Sequence, residues 1–198
     1  MIKIGITGGI GSGKTTTSRE FLKLGAYHFN ADIEAKNLIR QNIQIQESII
    51  KNFGNNILNK HNKIDYFKLS IKAFKNKKNQ IKLNKIIHPH IISLIENLYN
   101  TMQFHTKNRL FIIDAPLIFE SGLNKKIDSI IFIKSDINKR IKRAILRGKH
   151  PKVEIMKRFK LQMNEKLKEQ KSDYIIENND SLYKLKKKVL TLYDKIIF

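Results

Sequence analysis

The feature that most constrains this chain is a cluster of glycines close to its start. Four of its nine glycines lie within residues 8–13, directly after the apolar run of residues 2–7. Gly13, Lys14 and Thr15 complete the pattern of two glycines that bracket four residues and precede Lys-Thr. The apolar run before the cluster is typical of a buried strand, and the residues after it have helical spacing. The pattern therefore predicts a strand, a phosphate-binding loop and a helix at the start of an α/β fold.

The residue types in this loop suit nucleotide phosphates. Glycines allow successive backbone N–H groups to point at phosphate oxygens, and the N-terminus of the following helix adds a positive dipole. The Lys14 ammonium is placed to reach the β- and γ-phosphates, and the Thr15 hydroxyl to bind Mg²⁺. A turn that merely connects strand and helix is the alternative, and the correct flanks favour the phosphate-binding loop.

Further apolar runs predict the remainder of a parallel sheet. They are residues 26–30, 109–114, 129–134 and 174–177. Strands that alternate with helices in this way are typical of an α/β fold with a central parallel sheet of about five strands. Residues 41–80 are polar with scattered apolar positions, which indicates an insertion of short helices, and residues 83–98 have a helical pattern that Pro89 is expected to interrupt.

The chain does not carry the motifs of a GTPase. Guanine recognition needs Asn-Lys-x-Asp, and the nearest string, Asn-Lys-Lys-Ile-Asp at residues 124–128, is one residue too long. Asp-x-x-Gly is missing after the run of residues 109–114, where Asp-Ala-Pro-Leu stands instead. A chain of 198 residues is also too short for a motor or a large ATPase domain. A small-molecule kinase is therefore the leading class.

Two aspartates at predicted strand ends are candidates for the chemistry. Asp32 follows the second strand, where a carboxylate can accept a hydroxyl proton and orient the attacking oxygen, and its alternative role is the N-cap of a helix beginning at Ile33. Asp114 ends the strand before Pro116 and is placed to hold Mg²⁺ directly or through water. The alternative for Asp114 is a turn residue.

Arg140, Arg143 and Arg147 recur at spacings of three and four, so one helical face carries all three guanidinium groups. The chain has only seven arginines against 32 lysines, so three on one face indicate a specific role. Arginine binds phosphate through two parallel hydrogen bonds, and a mobile arginine helix can stabilise the transferring phosphoryl group. An ordinary solvated amphipathic helix is the alternative, because Ile141 and Ala144 provide an apolar face.

The net charge of +22 suggests nucleic acid at first sight. The chain also has 34 Ile against two Val, together with 19 Asn, which is the composition that an AT-rich genome imposes on any protein. The non-enzymatic alternative is a basic RNA-associated protein that binds ATP as a structural ligand. The absence of Trp and of a basic stretch interleaved with aromatic residues stands against it, so no specific nucleic acid is expected. The Lys-rich run at residues 184–188 is interpreted as a solvated helix face, and His88 and His90 lack the further ligands of a zinc site.

Composition also indicates in which cellular compartment the protein is expected. The chain contains no cysteine, which excludes disulfides, thiol catalysis and cysteine-ligated zinc. No apolar run approaches the roughly 20 residues that span a bilayer, and the N-terminus lacks a signal-peptide pattern. A cytoplasmic protein without membrane contact is therefore expected, as a monomer or a weak homo-oligomer.

Several motifs together resemble the dephospho-coenzyme A kinase family along most of the chain. They are GITGGIGSGKTT (residues 5–16), NADIEAK (30–36), HPHI (88–91), DAPLIFESG (114–122), the arginine helix as far as Gln162, and SDYIIENND (172–180). The phosphate-binding loop alone is shared by many nucleotide enzymes. Its combination with Asn-Ala-Asp, His-Pro and Asp-Ala-Pro-Leu is far more specific.

The resemblance implies ATP-dependent phosphorylation of the ribose 3′-hydroxyl of dephospho-CoA, the last step of coenzyme A synthesis, with Mg²⁺ as cofactor. It implies a P-loop fold like that of nucleoside monophosphate kinases, as a single dephospho-CoA kinase domain. The core would comprise residues 1–40, 108–137 and 172–198, the helical substrate-binding insertion residues 41–107, and the lid residues 138–171.

The resemblance also implies roles for individual residues. Asp32 matches the catalytic aspartate, with Lys14 and Arg143 as the other catalytic residues. The ATP-binding residues would be Gly11, Ser12, Gly13, Lys14, Thr15, Thr16, Arg143, Arg147 and Asn178, and those for the acceptor Asp32, His88, Pro116 and Leu117. Thr15 and Asp114 would hold the metal. The chain departs from the family at Asn30, where Asp is usual, and at Tyr66 and Ile92 near the acceptor segment.

Overall fold

The structure is a computed structural model that describes residues 1–105, 107–148 and 152–198. Within them, the five predicted strands form one parallel sheet, as the alternation of strands and helices predicts. The strands are β1 (Ile2–Thr7), β2 (Tyr27–Asn30), β3 (Leu110–Asp114), β4 (Ser129–Lys134) and β5 (Tyr174–Glu177). Their order across the sheet is β2-β3-β1-β4-β5, so β1 and the loop that follows it lie at the centre.

The helices cover both faces of this sheet. They are α1 (Lys14–Lys23), α2 (Ala31–Gln41), α3 (Ile43–Phe53), α4 (Tyr66–Ala73), α5 (Lys77–His105), α6 (Ile137–Leu146), α7 (Lys152–Leu161), α8 (Glu165–Gln170) and α9 (Leu182–Ile197). Short 3₁₀ turns occupy Asn55–Ile57 and Leu123–Lys126. The predicted insertion of short helices is thus present as α3 and α4.

Strands β3 and β4 contribute side chains to two separate cores, because successive residues of a strand point to opposite faces. In β3, Leu110 and Ile112 pack on the side of α1 and α9, while Phe111 and Ile113 pack on the side of α2 to α5. All four of these side chains are fully buried. Burial on both faces explains why the central strands are continuous apolar runs.

The expected interruption at Pro89 is wrong, because α5 continues through it from Lys77 to His105. Proline cannot donate to the carbonyl four residues earlier, which in a helix interior destabilises by about 3 kcal/mol. Pro89 lies on the exposed side of α5, so water can reach the carbonyl that it leaves unpaired. The buried face of the same helix, with Ile87, Ile91 and Ile95, supplies the packing that offsets this loss.

Among the helices of residues 1–105, 107–148 and 152–198, none combines the length and the apolar character needed to cross a membrane.

Candidate active site

The glycine cluster forms the turn between β1 and α1. Gly11 and Gly13 have φ values of 75° and 102°, a region that other residues enter only at a steric cost. A Cβ at Gly11 would lie 2.2 Å from the Arg140 carbonyl oxygen, and one at Gly13 would lie 2.1 Å from the Asn178 amide nitrogen. Glycine is therefore required both by the backbone and by the neighbours that pack against it.

Lys14 is the first residue of α1 and follows the glycine cluster directly. Its ammonium donates to the carbonyl oxygens of Gly8 and Gly9 at 3.0 and 3.2 Å. Desolvation by the surrounding protein lowers the pKa of Lys14, and the carboxylates of Asp114 and Asp32 act in the opposite direction. Lys14, Asp32 and Asp114 are therefore close enough to influence one another, as their predicted roles require.

The two predicted metal ligands meet directly. The Thr15 hydroxyl donates to Asp114 Oδ2 at 2.8 Å, and Asp114 is buried at the end of β3. Mg²⁺ prefers oxygen ligands and is commonly held by one or two protein groups together with substrate phosphates and water. The described residues contain no group of three or more His, Asp or Glu side chains around one point. A hydroxyl and a single carboxylate beside the phosphate-binding loop therefore fit Mg²⁺ bound together with a nucleotide.

Asp32 lies in the first turn of α2, two residues beyond β2. The alternative that it caps a helix beginning at Ile33 is wrong, because α2 begins at Ala31 and its N-cap is Asn30, whose side-chain oxygen accepts from the Ile33 N–H. Asp32 lines a cavity beside the phosphate-binding loop. Desolvation by the surrounding atoms raises its pKa, and the Lys14 ammonium opposes this shift. Asp32 is therefore free of a capping role and available to a substrate.

A cavity of about 160 Å³ opens beside Asp32. The predicted acceptor residues His88, Pro116 and Leu117 all line it, together with Phe74 and Ile87. Burial lowers the pKa of His88, which keeps its ring uncharged at neutral pH. The structure thus brings together the four predicted acceptor residues, which lie up to 85 positions apart in the chain.

The three arginines of α6 have different surroundings although they share a helix face. Arg140 is 2% exposed and donates from Nε to the Ile10 carbonyl at 3.0 Å, which excludes the solvated-face alternative for this residue. Arg143 donates to the Ser135 hydroxyl and to the Asn178 carbonyl, both at 3.1 Å. Arg147 is exposed at the C-cap of α6.

Arg140 also joins the phosphate-binding loop to the segment that follows α7. It forms an ion pair with Glu165 and lies 4.8 Å from the centre of the Phe159 ring. One guanidinium thus contacts the loop backbone, a carboxylate and an aromatic ring, which fixes α6 against the nucleotide loop.

Asn178 follows β5 and packs under the phosphate-binding loop. Its amide donates to the Ser12 carbonyl at 2.7 Å, and its own carbonyl accepts from Arg143. The predicted nucleotide residues Asn178 and Arg143 are therefore one connected group. Thr16, another predicted ATP-binding residue, is the third residue of α1.

Two further basic residues near the site were not predicted from the sequence. Lys168 is 1% exposed, pairs with Glu120 at 2.7 Å and donates to the Pro116 carbonyl at 2.7 Å. Arg158 lies 4.3 Å from the centre of the Phe74 ring at the acceptor cavity, and it is among the charges that lower the pKa of Asp32. In a chain with 32 lysines, a buried lysine carries no distinguishing sequence signal.

We expect Gly13→Ala to reduce ATP affinity at least tenfold, because the added methyl collides with the Asn178 amide and displaces it from Ser12. Gly25→Ala is the matched control. Gly25 has a similar φ of 87° but no atom within 4 Å of the added methyl, so both variants carry the same backbone strain of about 1–2 kcal/mol. Calorimetric ATP titrations of both variants measure the difference, and equal affinities would show that the contact with Asn178 is unimportant.

Comparison with known proteins agrees with this geometry. The model of the dephospho-CoA kinase family matches residues 2–184. The dephospho-CoA kinase of Fusobacterium nucleatum is 40% identical over 186 residues, which are 94% of either chain. The solved dephospho-CoA kinase from Campylobacter jejuni has a TM-score of 0.67 at 27% identity and covers 98% of this chain and 96% of its own.

A second solved structure, from Thermus thermophilus, has a TM-score of 0.80 at 23% identity and covers 98% of this chain and 97% of its own. At that identity the likeness supports the fold. The family match and the F. nucleatum relative both extend along more than nine-tenths of the sequence. From its phosphate-binding loop to its last strand, this chain belongs to the dephospho-CoA kinase family.

Proposed function

We propose that this protein transfers the γ-phosphoryl group of ATP to the ribose 3′-hydroxyl of dephospho-CoA, which yields coenzyme A and ADP. The observation that carries the proposal is the position of Asp32. This carboxylate lies between the phosphate-binding loop, whose Lys14 influences its pKa, and the cavity that His88, Pro116 and Leu117 line. The Asp32 carboxylate therefore borders both the proposed ATP site and the proposed acceptor site.

In the proposed reaction, Asp32 accepts the proton of the acceptor hydroxyl as its oxygen forms a bond to the γ-phosphorus. The bond between that phosphorus and the β,γ-bridging oxygen breaks, and ADP leaves. Lys14 holds the β- and γ-phosphates through its ammonium group and neutralises charge on the transferred group. The raised pKa of Asp32 makes it a better proton acceptor than an ordinary surface carboxylate.

Thr15 and Asp114 would hold Mg²⁺, directly or through water. When bound, Mg²⁺ neutralises charge on the β- and γ-phosphate oxygens. The hydrogen bond between Thr15 and Asp114 keeps both oxygens at one point, so little reorganisation is needed for binding.

Arg143, Arg147 and Asn178 complete the proposed ATP site with Gly11 to Thr16. Arg143 donates to the Asn178 carbonyl, and the Asn178 amide donates to Ser12 of the loop, which supports the proposal that they bind the nucleotide as a group. We further propose that residues 41–107 form the acceptor-binding insertion, whose contacts with the acceptor come from the residues that line the cavity, and that residues 138–171 act as a lid. The protein would work in the cytoplasm as a monomer or weak homo-oligomer.

The direct test is incubation of the purified protein with Mg-ATP and dephospho-CoA, followed by chromatographic detection of coenzyme A and ADP. Phosphorus NMR of the product establishes whether the new phosphate is on the 3′-oxygen. Nucleoside monophosphates, offered as acceptors in the same assay, test the alternative that the protein is a nucleoside monophosphate kinase. ADP formation with these acceptors and none with dephospho-CoA would overturn the proposal.

We expect Arg143→Lys to raise the KM for ATP about tenfold, because a lysine ammonium cannot replace the two guanidinium nitrogens that donate to Ser135 and to Asn178. Arg147→Lys is the comparison, since Arg147 is exposed and its proposed contact with phosphate depends more on charge than on a rigid fork. Steady-state kinetics in ATP for both variants distinguish the two residues. Unchanged kinetics in both would remove α6 from the ATP site.

A further inference from the structure

The side chain of Asn30 joins two parts of the site that the reaction uses separately. Its Oδ1 accepts from the Ile33 N–H at 3.0 Å, which caps α2. Its Nδ2 donates to Asp114 Oδ2 at 3.3 Å. The two contacts agree on one orientation of the amide, because a backbone N–H needs an acceptor and a carboxylate needs a donor.

The sheet register makes this contact possible. Asn30 is the last residue of β2 and lies directly beside Asp114, the last residue of β3. Asp32 lies two residues further along the chain, in the helical turn that Asn30 caps. One amide therefore connects the turn that carries the proposed base to the carboxylate proposed for the metal.

Among the described residues, two side chains donate hydrogen bonds to Asp114 Oδ2. The Thr15 hydroxyl at 2.8 Å and the Asn30 amide at 3.3 Å are its hydrogen-bond donors, and His28 Nε2, at 3.9 Å, is beyond hydrogen-bond distance. Both donors contact the same oxygen, so the carboxylate is fixed in rotation and its other oxygen remains available to a cation.

We infer that Asn30 is a positioning residue of this kinase, whose amide orients the Asp114 carboxylate for the metal while it anchors the helical turn that carries Asp32. This inference rests on the proposed function. Asparagine suits both contacts, because its oxygen accepts from the Ile33 N–H and its amide nitrogen donates to Asp114. Serine caps a helix through an oxygen but is too short to reach Asp114, and aspartate would place a second oxygen against Asp114 Oδ2.

The chain offers a matched control in Asn42. Asn42 caps α3 with the same geometry, since its Oδ1 accepts from the Ile45 N–H at 3.0 Å. Among the contacts of the described residues, Asn42 has none with a carboxylate. Matched substitutions at the two positions therefore affect equivalent caps, and only those at Asn30 also remove a contact with Asp114.

The experiment compares Asn30→Ser and Asn30→Ala with Asn42→Ser and Asn42→Ala. Both alanine variants should lower the unfolding midpoint by a few degrees, and both serine variants should restore most of it. Turnover should fall about tenfold in both Asn30 variants, with the KM for ATP within about twofold of the parent, and remain parental in both Asn42 variants. Serine would thus rescue stability at position 30 without rescuing turnover.

A second readout is independent of turnover. Mn²⁺ titrations followed by electron paramagnetic resonance, in the presence of a non-hydrolysable ATP analogue, report the metal site directly. We expect Mn²⁺ affinity to fall severalfold in Asn30→Ser and to be unchanged in Asn42→Ser. Parental Mn²⁺ affinity in Asn30→Ser overturns the inference, whatever its turnover. This titration does not require dephospho-CoA as acceptor, so it separates failure of the inference from failure of the proposed function.

Discussion

Asp32→Asn is expected to lower turnover on the order of a hundredfold or more, while ATP and dephospho-CoA still bind with nearly parental affinity. Asparagine keeps the shape of the side chain and most of its hydrogen bonding but cannot accept the proton of the acceptor hydroxyl, and losing a general base has this usual scale. Steady-state kinetics at saturating substrates measure kcat, and calorimetry measures binding of each substrate.

The variant should remain as well folded as the parent. Asn30, not Asp32, caps α2, so the substitution removes no cap. It does remove a negative charge from the first turn, which Glu34→Gln also does, and this makes Glu34→Gln the control for the helix dipole. Full turnover in Asp32→Asn would show that another residue acts as the general base. Reduced turnover in both variants to the same extent would assign the effect to the helix.

The pKa of Asp32 predicts a pH dependence of the same reaction. The pKa is raised above its ordinary value of 3.8, so the base becomes protonated at a higher pH than a surface aspartate would. Turnover of the parent should therefore fall as the pH drops through this raised pKa, and that limb of the profile should be absent in Asp32→Asn.

Lys14→Met is expected to lower turnover on the order of a hundredfold to a thousandfold, the scale of losing one fixed donor to a developing charge. Methionine keeps an unbranched stem of similar length and removes the ammonium that the proposed reaction places on the β- and γ-phosphates. Methionine also removes the hydrogen bonds of the ammonium to the Gly8 and Gly9 carbonyls, so the unfolding midpoint is measured alongside turnover.

Lys23→Met is the control for the Lys14 variant. Lys23 ends the same helix, is 62% exposed and pairs with Glu20 at 2.8 Å, so its loss should leave turnover unchanged. Near-parental turnover in Lys14→Met, with an intact circular dichroism spectrum, would contradict the assignment of the phosphate-binding loop.

The sheet and the glycine-rich loop could be predicted from the sequence, because both depend on local signals. Continuous apolar runs such as residues 110–113 become central strands wherever helices cover both faces of a sheet. The glycines of residues 8–13 and the following Lys-Thr specify backbone geometry and phosphate chemistry within a single turn. Asp32 and Asp114 could also be placed, since the carboxyl ends of neighbouring parallel strands meet at one edge of the sheet.

The contacts between polar side chains, by contrast, depend on tertiary packing. Asn30 and Asp114 are 84 positions apart and meet because β2 pairs with β3 in one register. Arg140 is buried against the loop, although its spacing makes it equivalent to Arg143 and Arg147 on the helix face. Burial of Lys168 and continuation of α5 through Pro89 likewise depend on what packs against them. Such contacts join residues distant in the chain, and a local pattern carries no information about the partner that a folded chain brings to a side chain.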